Sequence, residues 1–210
     1  TFIKHLAAMH FANSEFIKTS HIYIDFADFN ASIKDPIVEI REKFVNTVWG
    51  SLEKIIPGSE LLAAEDKVFY NSDIFATSRA ILRRLPVVDH QKFIAERIHE
   101  MLRTDSVRFT IERINALSEK DSNRMLLVVD NIDHLPDVVL KALSSFLLQV
   151  QLQSVPMLIV CMRDHTHMAG FSSYREDKTV LAWHLRLRPP NLRMMLDRRV
   201  DHFFPPENAA

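Results

Sequence analysis

The chain has 210 residues, 47% of them hydrophobic, with a formal net charge of −1, three glycines and one cysteine. That length supports one sizeable core. The near-zero charge excludes capture of nucleic acid or anionic membrane by bulk electrostatics, and a lone Cys161 excludes an internal disulfide. No apolar run approaches the ~18 residues of a membrane span, so the expectation is one cytoplasmic domain over residues 1–204 with a short tail, 205–210.

In chain order, Phe2, Leu6 and Met9 with Ile3, Ala7 and Phe11 recur at helical spacing from Thr1 to about Ser14. "HIYIDF" (His21 to Phe26) is short, β-branched and aromatic, as a strand should be. Asp35 can then cap a helix whose first position is Pro36 and whose apolar face is Ile37, Ile40, Phe44 and Val48, ending before Pro57-Gly58. Residues 59–123 carry helix formers and charges with a break at Leu85-Pro86, which predicts a helical insert of two to four helices. Its arginines, Arg83, Arg84, Arg97, Arg103, Arg108 and Arg113, read most simply as a solvated face.

"MLLVV" (Met125 to Val129) is uniformly apolar, the pattern of a parallel strand covered on both faces. A helix from Asp137 to about Leu152 buries Val139, Leu143, Phe146, Leu147 and Val150, and "VPMLIVCM" (Val155 to Met162) is a second apolar strand. "TVLAWHLRL" (Thr179 to Leu187) alternates as a third, and Leu192, Met195, Leu196, Val200 and Phe203 trace a closing helix. This order predicts a layered α/β domain with a mainly parallel sheet.

Ligands of open α/β sheets gather beyond the carboxyl ends of the strands. There the sequence places Asp25 and Asp28, then Asp130 and Asp133, then Arg163 and Asp164. An aspartate held rigid at the end of a buried strand suits a hydrated magnesium ion, a hard cation that prefers oxygen and keeps much of its water. Asp133, turned out of the strand, can orient or deprotonate a water attacking a γ-phosphate. The plainer alternative is that Asp130 ends the strand and Asp133 caps the helix entered at Pro136.

"LLVVDNIDHLP", a helix, "MLIVCMRDHT" and "LRLRPPNLRMMLDRRV" together resemble the core of P-loop ATPases of the AAA-like and STAND (NACHT-related) groups. The resemblance implies a three-layer ASCE-type fold lacking its first strand and phosphate loop, with the insert at 59–123. It also implies binding and hydrolysis of ATP with Mg²⁺ as a switch domain of a larger protein. Within it "DNID" matches the NACHT-type Walker B, so Asp130 would hold the magnesium water and Asp133 the attacking water. Arg163 would read the γ-phosphate, Pro189 or Pro190 would line the base, and Arg198 or Arg199 would face phosphate or a neighbouring subunit. In this family a Gly-Lys-Ser/Thr loop runs into a helix like "TFIKHLA", so Thr1 would be the magnesium-binding hydroxyl residue or its successor and the chain would be cut at Walker A. AAA proteins place glutamate after the Walker B aspartate; Asn131 stands there instead. A non-hydrolysing scaffold or oligomerisation module is therefore the competing expectation. Partners implied are ATP, other domains of the same protein or a second copy, and no membrane.

Weaker signals remain. "RDHTH" (Arg163 to His167) offers two histidines and an acid to a transition metal, although such histidines are usually polar loop residues. Cys161 with His165 or His167 could be a nucleophile, but a thiol inside an apolar strand is usually inert. Arg186, Arg188, Arg193, Arg198 and Arg199 make the end of the chain locally basic, a weak nucleic-acid signal set against the nearby Asp197 and Asp201. Trp49 and Trp183 read as core.

Overall fold

A computed structural model of the chain describes residues 19–30, 35–118, 124–154, 157–163, 166 and 171. The chain divides into units Thr1–Val180 and Leu181–Ala210, and every described residue belongs to the first. The helix expected over 1–14, the strand expected over 179–187, the closing helix, and with them Thr1, Trp183, Pro189, Pro190, Arg198 and Arg199 lie outside the described residues.

Three strands, β1 (Thr19–Asp25), β2 (Arg124–Asp130) and β3 (Met157–Val160), form an open sheet in that order, all parallel. The fold is thus α/β with a small parallel sheet. In register, Leu127 pairs with Ile22 on one side and Leu158 on the other, and Val129 with Ile24 and Val160, so these six residues share one face. Met125, Leu127 and Val129 are buried, and so are Leu126 and Val128, which point the other way. Both faces of β2 are covered, as its unbroken apolar run predicts.

Six helices accompany the sheet. The first, α1 (Pro36–Ile55), packs on β1 through Ile40, Phe44, Val48 and Leu52, spaced four apart so that they form one stripe. Pro36 opens it as expected, but Asp35 makes no side-chain capping bond; its backbone alone occupies the cap position. Beside α1 packs α6 (Asp137–Gln153), and Phe44 meets Phe146 edge-to-face at 5.3 Å between centroids. That contact ties the two helices over the sheet, and each fully buried ring contributes roughly 3 kcal/mol by removal from water.

The insert resolves into α2 (Gly58–Tyr70), α3 (Asp73–Leu82), α4 (Val87–Thr104) and α5 (Ser106–Ser118). Pro57 and Pro86 stand at the cap positions of α2 and α4, where a missing N–H costs nothing. Ser72 caps α3 by accepting from the Phe75 N–H at 3.2 Å. Asp105 caps α5, taking the Arg108 N–H at 3.0 Å. Phe69, Leu82 and Ile94 form a second small core with Phe75 and Phe93 packed against it. The exposed-face reading of the arginines fails at Arg113. Its side chain is only 3% exposed, 2.7 Å from the Glu65 carboxylate and stacked 4.2 Å above the Trp49 ring. Trp49 in turn donates to Thr110 at 2.8 Å and is half-buried. Among the described residues no helix is long and apolar enough to cross a membrane.

Candidate functional site

The parallel register sets Asp25 beside Asp130 at the carboxyl ends of β1 and β2. The ladder continues one step further on each side: the Phe26 N–H donates to the Asp130 carbonyl at 3.1 Å, and the Cys161 N–H to the Val129 carbonyl at 2.8 Å. Three chain segments therefore leave the sheet together at one edge. Residues two apart in a strand share a face, so Tyr23 and Asp25 of β1 lie on the side of Val128 and Asp130 of β2.

Asp130 is half-buried and engaged through both oxygens. Oδ1 accepts the Asn131 backbone N–H at 2.8 Å, and Oδ2 accepts the Tyr23 hydroxyl. Asn131 has φ of +59°, the left-handed conformation that asparagine tolerates better than other side chains. From there its Nδ2 donates back across the strands to Asp25 Oδ1 at 2.8 Å, an oxygen that also accepts the Ala27 N–H at 2.9 Å. Burial, followed by the hydrogen bond to Asp130 and its charge, raises the Tyr23 phenol above its ordinary range, so the hydroxyl stays a donor.

Past Asn131 the buried Ile132 pins the chain, and the turn closes with the Leu135 N–H on the Ile132 carbonyl at 3.1 Å. This brings Asp133 to the end of β3. Its Oδ1 accepts the Arg163 backbone N–H at 2.7 Å and the Thr166 hydroxyl at 2.6 Å. Its Oδ2 is 3.8 Å from Arg163 Nε, a loose pairing because that guanidinium is 77% exposed. Asp133 does not cap α6, whose cap position is Pro136 with no side-chain bond.

The adjacent Cys161 thiol is pushed up to about 12 by burial and by the Asp130 charge, with Asp133 adding to the effect. A thiol so shifted is inert at neutral pH. Asp28 lies exposed in the turn after β1. Among the described residues no three His, Cys, Asp or Glu side chains stand close enough to hold a metal ion together. Asp164, His165 and His167 lie outside the described residues.

Of the sequence-predicted residues, Asp130, Asp133 and Arg163 are thus brought to one edge, while Thr1, Pro189, Pro190, Arg198 and Arg199 are outside what is described. Three participants were missed. Tyr23 could have been found from the alternation of "HIYID", which puts it on the face of Asp25, and Asn131 from its tolerance of a left-handed turn. Thr166 carries no sequence signal, because its placement depends on the path taken after β3. Comparisons with protein-family profiles, with curated proteins and with solved structures find no match.

Proposed function

We propose that this chain is the ATP-binding and hydrolysing switch domain of a larger protein, a magnesium-dependent P-loop-type nucleoside triphosphatase of the STAND or AAA-like kind. The observation that carries the reading is the adjacency of β2 and β3, which gathers Asp130, Asp133 and Arg163 at one edge of a parallel sheet. An edge of this kind is where phosphate ligands of α/β proteins collect. Asp130, held at the end of β2 by the Asn131 N–H and the Tyr23 hydroxyl, suits a carboxylate that meets magnesium through water, since that ion prefers oxygen ligands and keeps much of its hydration. Bound magnesium–ATP supplies an electrophilic phosphorus and the charge that Arg163 would meet. The exposed Arg163 guanidinium can reach an incoming phosphate, and its loose pairing with Asp133 costs little to exchange. Asp133 would orient the attacking water, with Thr166 and the Arg163 N–H holding its other oxygen still.

The competing reading is a non-hydrolysing scaffold. It is favoured by Asn131 standing where AAA proteins have glutamate, and by the engagement of both Asp133 oxygens. The two are separated by turnover in the full-length protein. Asp130→Ala and Asp133→Asn should each lower ATP hydrolysis by about 10²-fold or more, with circular dichroism and thermal midpoint kept. Asp133→Asn retains an oxygen for Thr166 and Arg163, so lost turnover there reports chemistry rather than folding. Unchanged turnover in both variants defeats the assignment; nucleotide binding without turnover in the unmodified protein favours the scaffold.

A further inference from the structure

The ends of β1 and β2 are cross-tied in both directions. Tyr23 of β1 donates to Asp130 of β2, and Asn131, following β2, donates to Asp25 of β1 at 2.8 Å. A tyrosine is the side chain this geometry requires. Its Cα pairs with Val128, two residues short of Asp130, and only a long, stiff side chain carries a hydroxyl diagonally across that gap. Serine or threonine would fall short, and phenylalanine would fill the space without a donor. The ring is half-buried on the sheet face it shares with Val128 and Asp130, so the hydroxyl arrives on a body with little rotamer freedom. The other Asp130 oxygen is held by the Asn131 N–H at 2.8 Å.

We infer that Tyr23 is a positioning residue for magnesium–nucleotide binding: its hydroxyl, reaching from β1, fixes the plane of the Asp130 carboxylate so that the acid meets a hydrated cation without reorganising. This rests on the nucleotide reading proposed above. Its physical basis is preorganisation: a group already locked by its neighbours pays no orientational entropy when the ligand arrives. Magnesium makes the requirement strict, because its hydration shell is near-octahedral and a carboxylate serving it through water must lie in one direction. Pairing between β1 and β2 does not depend on the hydroxyl, since the backbone ladder holds seven residues in register from Thr19 to Asp25.

The test uses the full-length protein and a fluorescent ATP analogue, with affinity measured in magnesium and again in EDTA. The ratio of the two isolates the metal-dependent part of binding, which a purely structural role would not move. In the unmodified protein magnesium should tighten binding, and Asp130→Ala should abolish that gain. Tyr23→Phe should cut the magnesium gain by about tenfold, the loss of one hydrogen bond to a charged acceptor, with the EDTA affinity and the thermal midpoint little changed. Added to Asp130→Ala, it should have no further effect. A magnesium gain removed by Asp130→Ala but kept by Tyr23→Phe overturns this inference alone. An equal loss in EDTA and in magnesium overturns it too, since Tyr23 then supports the fold rather than the acid. Absence of any magnesium effect in the unmodified protein overturns the nucleotide reading, and this inference with it.

Discussion

Arg113→Ala removes the one guanidinium of the insert that is buried against an acid. The side chain is 3% exposed, its Nη2 is 2.7 Å from Glu65, its Cζ lies 4.2 Å over the Trp49 ring, and among the described residues its Nε and Nη1 have no hydrogen-bond partner. Two effects oppose each other. Truncation abandons the Glu65 carboxylate inside the helical layer and forfeits the stacking on Trp49; breaking a buried pair in this way costs about 3–5 kcal/mol. It also relieves two buried guanidinium nitrogens without an acceptor, each a cost of about 1–3 kcal/mol while present. Glu65 keeps 17% exposure and can turn partly to water, so the net loss should fall near the lower limit, about 3 kcal/mol. The tie spans α1, α2 and α5, so the loss should appear in global unfolding. Urea denaturation followed by far-UV circular dichroism reads it, with unchanged m as the check on two-state behaviour. Arg113→Met with Glu65→Leu removes both charges and both orphaned donors, and should return to within about 1 kcal/mol of the unmodified protein. An Arg113→Ala variant as stable as the parent would refute the reasoning. A double variant as unstable as the sum of its singles would refute it equally.

Other expectations follow from the same geometry. Burial raises the Glu65 carboxyl above 4.5, outweighing Arg113, which pulls the other way. The folded protein therefore keeps this proton to higher pH than the unfolded chain, so the stabilisation is full below the unfolded value and is lost as pH rises through the folded one. The stability of the parent relative to Glu65→Gln, measured by urea titration, should accordingly fall as pH rises above the ordinary glutamate value of about 4.3; a rise would contradict the sign. Asn131→Ala should destabilise by about 1–2 kcal/mol through its left-handed backbone, while Asn131→Gly should cost less, read as thermal midpoints. Alkylation of Cys161 by iodoacetamide near pH 8 should be slower than that of a free thiol by about three orders of magnitude, since its pKa lies at about 12.

Much of this architecture is legible in the chain itself because the physics is local. An unbroken apolar run such as Met125–Val129 has few homes other than a doubly covered parallel strand; Pro36 marks a helix start, while Pro57 and Pro86, legible only as breaks, also open the helices that follow them. Asp130, Asp133 and Arg163 were legible at the sheet edge for the same reason: each lies at, or within three residues of, the end of a strand that an apolar run locates. Arg113 was misjudged because charge composition says nothing about which face a residue occupies. Its position between Phe109 and Leu117, on a helix that also buries Thr110 and Ile114, marked it as facing inward, where a charge must find a partner. The Asp133–Thr166 and Arg113–Glu65 pairs, 33 and 48 positions apart in sequence, arise from tertiary placement alone. No periodicity encodes such pairs.

The site itself is tested most directly by a crystal structure of the full-length protein with Mg²⁺ and a non-hydrolysable ATP analogue. The account predicts the terminal phosphate at the carboxyl edge of β2 and β3, with a magnesium-bound water on Asp130 and the Arg163 guanidinium swung from Asp133 to the phosphate. Nucleotide bound elsewhere on the chain, or an edge left unchanged with Arg163 still on Asp133, would contradict it.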